Sequence, residues 1–232
     1  MAHPITGISS MATRRALGEL TERYAASTGK PVSIEAIGGV DAARRVRAGE
    51  PFDLVVLADD VIAKLEAEGH VLAGTAVGFV RSAMALAVKA GARRPDIGDG
   101  EAVKAALMTA RSIGYSTGPS GTHLVEILKT WGLDPAGDAP RLVQARPGVP
   151  VAALVAGGDA EIGVQQLSEF LGEAGIAIVG LAPPPVQSVT TFSIGVGAGS
   201  TRVEEARALI AFLNGPEAAE TKRRFGMEPA QA

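Results

Sequence analysis

The chain has 232 residues, 47% hydrophobic, 20% charged and 4% aromatic, with a formal net charge of −3 and no cysteine. That length suits one large or two small lobes with a sizeable core. The slight acidity argues against a nucleic-acid-coating surface, which carries a basic patch. Without cysteine there are no disulfides, thiolate metal sites or cysteine nucleophiles. No stretch approaches the ~20 apolar residues of a membrane span, so no membrane insertion is expected.

Met1-Ala-His-Pro4 runs almost directly into a strand-like segment, with no visible secretory signal. A periplasmic location is expected if a leader has been removed, and a cytoplasmic one otherwise. Ile5–Ser9 reads as the first strand. A helix follows over Met11–Thr28, with Ala16, Leu17, Leu20 and Tyr24 at helical spacing and Gly29 as its C-cap. Strand Val32–Ile37 ends at Gly38-Gly39 and opens a helix over Asp41–Ala48, stopped by Gly49-Glu-Pro51. A strand that ends in paired glycines and opens a helix exposes backbone N–H groups suited to an anion.

Phe52–Leu57 is a third, buried strand that ends at Asp59-Asp60, where one acid is expected to cap a helix over Val61–Glu68. Two adjacent acids without further partners are weak grounds for a metal. Gly78–Val88 is long enough to cross from one lobe to another. Helix Glu101–Ala110, strand Ser112–Tyr115, the polar loop Ser116–Gly121 and a helix over Thr122–Trp131 follow. Then come a helix over Val149–Ala156, a strand Glu161–Gln166, a strand Ile176–Leu181 before Pro183-Pro-Pro185, and a return strand Thr191–Val196. Helices Val203–Leu213 and Glu217–Phe225 finish the chain, separated by Asn214-Gly-Pro216.

Alternating strands and helices of about ten residues imply an α/β fold of mainly parallel sheets flanked by helices. Ligands bind such sheets outside the carboxyl ends of the strands. The candidate ligand-binding residues are therefore Ser9, Ser10, Gly38, Gly39, Ser120, Gly121, Thr122, Gln165 and Gln166. This set is rich in hydroxyls, amides and glycine and poor in charge, which describes a dipole-lined pocket. Strand alternation aims only one of Gln165 and Gln166 at the ligand. Arg81, a charge within the long strand, is a candidate countercharge, or else half of a salt bridge. His123 is the only histidine in a predicted site loop. It reads as a base if the protein is an enzyme, or as a surface residue of the first helical turn. Arg44 and Arg45 follow the Gly38-Gly39 turn and are expected in solvent.

The phrases Val46-Arg-Ala-Gly-Glu-Pro-Phe-Asp-Leu-Val55, Leu65-Glu-Ala-Glu-Gly-His-Val71 and Gly118-Pro-Ser-Gly121 stand in a characteristic order. Val155-Ala-Gly-Gly-Asp-Ala-Glu-Ile-Gly163 and Ala211-Phe-Leu-Asn-Gly-Pro-Glu-Ala-Ala219 complete it. Over nearly its whole length the chain resembles the type 2 periplasmic binding proteins, specifically the molybdate-binding subgroup of ABC-transporter solute-binding proteins. The resemblance implies two lobes, residues 1–79 with 191–232 and residues 80–190, joined by two crossover strands as a hinge. It implies a monomer that closes on a small anion in the interlobe cleft, with no cofactor, no metal and, if exported, an ABC permease as partner.

The subgroup's hydroxyl donors are replaced here. Its first serine falls near Ala12, its second at Gly39, and its tyrosine at Gln165-Gln166. These departures point to a small organic carboxylate rather than molybdate or tungstate. Two alternatives stay open. One is molybdate or tungstate binding. The other is a cofactor-independent isomerase resembling aconitate isomerase, with His123, Ser120 and a glutamine as candidate groups for allylic proton transfer.

Overall fold

The computed structural model describes residues 3–133, 141–146 and 148–230. Met1 and Ala2, part of the segment that reads without a secretory signal, lie outside the described residues. In chain order the elements are β1 Ile5–Ser10, α1 Arg14–Thr28 after a 3-10 turn Met11–Thr13, β2 Val32–Ile37, α2 Gly39–Arg47, β3 Leu54–Ala58 and α3 Asp59–Ala67. Next come β4 Val77–Lys89, α4 Gly100–Thr109, β5 Ser112–Tyr115, α5 Pro119–Thr130, β6 Arg141–Gln144, α6 Val151–Gly157, β7 Ile162–Gln166, α7 Leu167–Phe170 and β8 Ile176–Leu181. The chain ends with β9 Val189–Val196, α8 Val203–Leu213, a 3-10 turn Pro216–Ala218, α9 Ala219–Arg224 and β10 Met227–Pro229.

The fold divides into two compact units, residues 1–82 with 191–232 and residues 83–190. The chain passes from one to the other within β4 and again within β9. In the first unit β1 runs parallel to both β2 and β3, β9 is antiparallel to β3, and β10 is antiparallel to β4. One face of this sheet packs Leu17 and Leu20 of α1 and Leu209 and Leu213 of α8 against Leu54, Val56 and Ile194. The other packs Ala42 and Val46 of α2 and Ile62 and Leu65 of α3 against Ile8, Val55 and Leu57. In the second unit β5 is parallel to β6 and β7, and β4 is antiparallel to β7 and β8. Buried β3 alternates its side chains between two helical layers, which is why it reads as a continuous apolar run.

Three helices begin earlier than their apolar periodicity implies. The helix expected from Asp41 starts at Gly39, with Gly38 as N-cap and Ala42 donating to the Gly38 carbonyl at 2.9 Å. Asp59 and Asp60 are not caps. Ala58 holds that position, and the two acids sit in the first turn of α3, where carboxylates favour the helix dipole. The helix expected from Thr122 starts at Pro119, whose fixed φ and missing N–H suit the first position. Ser120 and Gly121 thus lie inside the first turn rather than in the loop before it.

The short elements β6, α7 and β10 carry no periodic signal that announces them, and the last helix is a 3-10 turn followed by α9. The buried strand begins at Leu54, two residues late. Asp53 is buried just before it and turns its carboxylate to other elements. It accepts from the Thr6 backbone N–H at 2.8 Å, the Thr6 hydroxyl at 3.2 Å and the Ser200 hydroxyl at 2.6 Å. Asp53→Asn places an amide NH2 against one of these donors. A loss of about 1–2 kcal/mol is expected in urea unfolding, with the midpoint moved and the m-value unchanged.

Candidate functional site

In the second unit β5 ends at Tyr115 and the chain turns through Ser116–Gly118 into α5. Pro119 has no N–H to offer. The N–H groups of Gly121 and Thr122 turn back to the Gly118 carbonyl at 3.0 and 3.1 Å, and the exposed Thr122 hydroxyl leans the same way at 3.4 Å. Gly121 and Thr122, expected to offer donors to a ligand, therefore spend them on the turn itself. Gly121 serves another purpose. A Cβ there would stand 1.8 Å from the Ser116 carbonyl oxygen, so glycine lets α5 close onto the end of β5.

What the turn leaves over is Ser120. Its side chain is 1% exposed and its hydroxyl has no partner. A buried hydroxyl without a partner costs the free protein about 1–3 kcal/mol.

Strand β7 ends at Gln165 and Gln166, both buried, and each carries an unpartnered carbonyl oxygen Oε1. Alternation separates their roles. Gln166 shares its face with Ile162 and Val164, which pack with Leu124 and Leu128 of α5. Gln165 shares its face with Gly163, where a Cβ would meet Val155 and Val151 of α6 at 2.6 and 3.0 Å. Gln166 thus stands on the α5 side, with Ser120, and donates through Nε2 to the Thr190 hydroxyl at 2.8 Å. Gln165 stands on the opposite side and donates to the Glu169 carboxylate of α7 at 2.7 Å.

His123 is half-buried one turn into α5, and its Nε2 lies 3.0 Å from the Val186 carbonyl. That acceptor places the proton on Nε2, so in the neutral ring Nδ1 holds the lone pair. The bond ties the start of α5 to the segment after β8, which a reading as a simple surface histidine does not include.

In the first unit β1 ends at Ser9 and Ser10. Ser10 accepts from the Ala12 N–H at 3.4 Å and caps the 3-10 turn. Ala12, where the molybdate-type serine falls, is packed into the hydrophobic core. The unpartnered hydroxyl at this strand end is that of Ser9, 0% exposed. Gly38 and Gly39 cap and open α2, and a Cβ on Gly39 would meet nothing within 4 Å. The missing serine at Gly39 leaves space. At the end of β3, Asp59 accepts from the Ser193 hydroxyl of β9 at 2.5 Å. Arg45 pairs with Glu35 and Glu50 and lies over the Phe52 ring, so hydrogen bonds to carboxylates raise its pKa. The exposed Arg44 pairs with Asp41.

Arg81 stands apart from these strand ends. It is exposed on β4, in register with Glu228 of β10. It lines a cavity of about 210 Å³ together with Asn214, Lys222 and Arg223. Sequence reasoning missed Lys222, which sits in a run of charges that reads as a solvated face. It is 2% exposed and donates to the Phe79 carbonyl and Asn214 Oδ1, each at 2.9 Å, above the Phe79 ring.

Burial pulls the pKa of Lys222 down from 10.5 to about 8. The folded state therefore binds fewer protons here than the unfolded chain between about pH 8 and the ordinary lysine value. Stability from this group rises with pH across that window. The stability difference between wild type and Lys222→Met is expected to move in favour of wild type from pH 8 to pH 10 in urea unfolding, and a flat difference contradicts the burial effect.

Comparison with known proteins bears on the family and the fold. The profile of the bacterial extracellular solute-binding protein family matches residues 5–228. A curated Pseudomonas relative named aconitate isomerase is 35% identical over 242 residues, covering 100% of this chain and 91% of the relative. Among solved structures, the Azotobacter vinelandii periplasmic molybdate-binding protein matches with a TM-score of 0.76 at 19% identity, covering 98% of this chain and 100% of that one. The tungstate ABC transporter structure from Geobacter sulfurreducens matches with a TM-score of 0.73 at 17% identity, covering 95% and 98%. The chain therefore belongs to the bacterial extracellular solute-binding protein family, with a type 2 periplasmic-binding fold that resembles the molybdate-binding subgroup.

Proposed function

We propose that this protein binds a small organic carboxylate, not molybdate, through the strand-end groups described above. The observation that carries the reading is the pair of buried, unpartnered polar atoms on the α5 side of the second unit, Ser120 Oγ and Gln166 Oε1. A hydroxyl and an amide at the start of a helix suit a carboxylate and a neighbouring hydroxyl or acid group. Open space at Gly39 and the core position of Ala12 remove two contacts that a compact tetrahedral oxyanion would use. Where the chain is exported, the partner is an ABC permease.

The test is thermal unfolding with molybdate, tungstate, sulfate, citrate, cis-aconitate and trans-aconitate. A true ligand at ~100 times its Kd adds roughly 2.7 kcal/mol of stability. Stabilisation by one of the organic acids is the expected result. Stabilisation by molybdate or tungstate alone overturns it.

The full-length relative named aconitate isomerase favours a second reading, in which the bound acid is also converted. Allylic proton transfer needs a base at one carbon, a proton returned at another, and donors for the carbanionic state between them. With Nε2 engaged by Val186, the Nδ1 of His123 is the lone pair on α5 available for the first role. Ser120 Oγ supplies one donor, and the Gln166 amide, whose open atom is Oε1, supplies a second when it turns over against Thr190. Incubating trans-aconitate with the protein in D2O decides the matter. Conversion to the cis isomer with deuterium uptake, lost in His123→Asn while binding persists, is the result expected of an isomerase. Stabilisation without conversion leaves a binding protein.

A further inference from the structure

The cavity beside β10 lies within the first unit and shares no residue with the strand-end sites. Its polar walls are Arg81 of β4, Asn214 at the end of α8, Lys222 and Arg223 of α9, and Glu228 of β10. A chain of net charge −3 thus gathers three cations around one carboxylate.

The charges do not cancel pairwise. Glu228 is held by Arg223 at 3.1 Å. The Arg81 side chain, although in register with Glu228, makes neither an ion pair nor a hydrogen bond among the described residues. Lys222 bonds only to a carbonyl and a side-chain amide oxygen, which use two of its three N–H donors. Two positive charges are left without a carboxylate, one of them on a side chain that is 2% exposed.

We propose that this cavity is a second anion site, built for a compact divalent oxyanion of the phosphate class. Arg81 offers a planar fork to two of its oxygens, Lys222 offers a point charge from below, and two positive charges match two negative ones. The volume, about 210 Å³, holds a tetrahedral oxyanion with a few of its waters, each taking about 30 Å³. Lys222 also gains what its surroundings withhold, since burial alone lowers its pKa and a bound anion would hold it charged. The bonds to Phe79 and Asn214 by themselves serve to fix α9 against β4 and α8. They do not explain why Arg81 is left unpaired beside them.

The proposal is independent of the carboxylate reading and its test separates the two. Inorganic phosphate is titrated at pH 7 into the 15N-labelled protein at low, constant ionic strength, with chloride as control. Saturable shifts are expected at the amides of Arg81, Gly215, Lys222 and Glu228. Arg81→Gln, at an exposed position, is expected to weaken binding by roughly tenfold or more while the protein stays folded. Lys222→Met is expected to do the same, and Ser120→Ala to bind phosphate as wild type does. Lack of saturation, an equal response to chloride, or shifts confined to residues 116–124 and lost in Ser120→Ala would each overturn the second site.

Discussion

Ser120→Ala is expected to stabilise the free protein slightly while it weakens ligand binding by roughly 10–150-fold. The two effects have one cause. In the free protein the Ser120 hydroxyl is buried without a partner, so replacing it by a methyl group of similar shape removes a desolvation cost. In the proposed complex the same hydroxyl would make a hydrogen bond to a charged group, worth about 1.5–3 kcal/mol. Gln166→Met, which keeps volume but loses the amide, is expected to move affinity the same way. Its stability gain is smaller because the bond to Thr190 is lost as well. Thermal unfolding with and without the acid identified in the ligand screen reads both quantities in one experiment. A serine variant that loses stability but keeps its affinity would place Ser120 in the packing rather than in the site.

The second large effect belongs to Gly121. Alanine there puts a Cβ 1.8 Å from the Ser116 carbonyl oxygen, and that atom belongs to backbone that cannot swing away. Overpacking of this kind typically costs about 1–3 kcal/mol, and so close an approach to backbone belongs at the upper end. About 3 kcal/mol corresponds to roughly 6–12 °C of Tm for a chain of this size. Gly39→Ala is the control. It meets nothing within 4 Å, and a change within about 0.5 kcal/mol is expected. If α5 relieves the clash by starting later, Ser120 leaves its place and the ligand response disappears at a smaller stability cost. Unchanged Tm with unchanged ligand response would show that the close approach is dispensable.

Much of this was legible in the chain because it rests on local rules. The glycine after α1 and the continuous apolar run of β3 each announce their element, whereas Pro119, whose polar neighbours read as loop, opens α5. The turn carrying Ser120 and the strand end carrying Gln165 and Gln166 could be named from the strand–loop–helix order alone, as could the rule that the two glutamines face opposite sides of their strand. Illegible were the partners set by distant segments. Val186 lies 63 residues from His123, Thr190 lies 24 from Gln166, and Phe79 lies 143 from Lys222. Lys222 sits in the run Glu220-Thr-Lys-Arg-Arg224, whose composition describes solvent and whose burial is decided by two other elements. Arg81 shows the same limit. Its place in a strand was visible, but the β10 strand that defines its neighbourhood is three residues ending in proline, with no periodic signal.

The amide of Gln166 is held by a hydroxyl, whereas that of Gln165 is held by a carboxylate. A carboxylate only accepts, so the Gln165 amide has one orientation. A hydroxyl gives or takes, so the Gln166 amide can rotate by half a turn and keep its bond to Thr190. Turned one way it offers oxygen to a protonated acid or an alcohol. Turned the other it offers N–H to a carboxylate. A polyacid that gains or loses a proton as the medium changes would still find its complement at this position. On the proposed function, discrimination between charge states would then fall to Ser120 and the dipole of α5, and this glutamine would be a tolerant contact whose sense the ligand chooses.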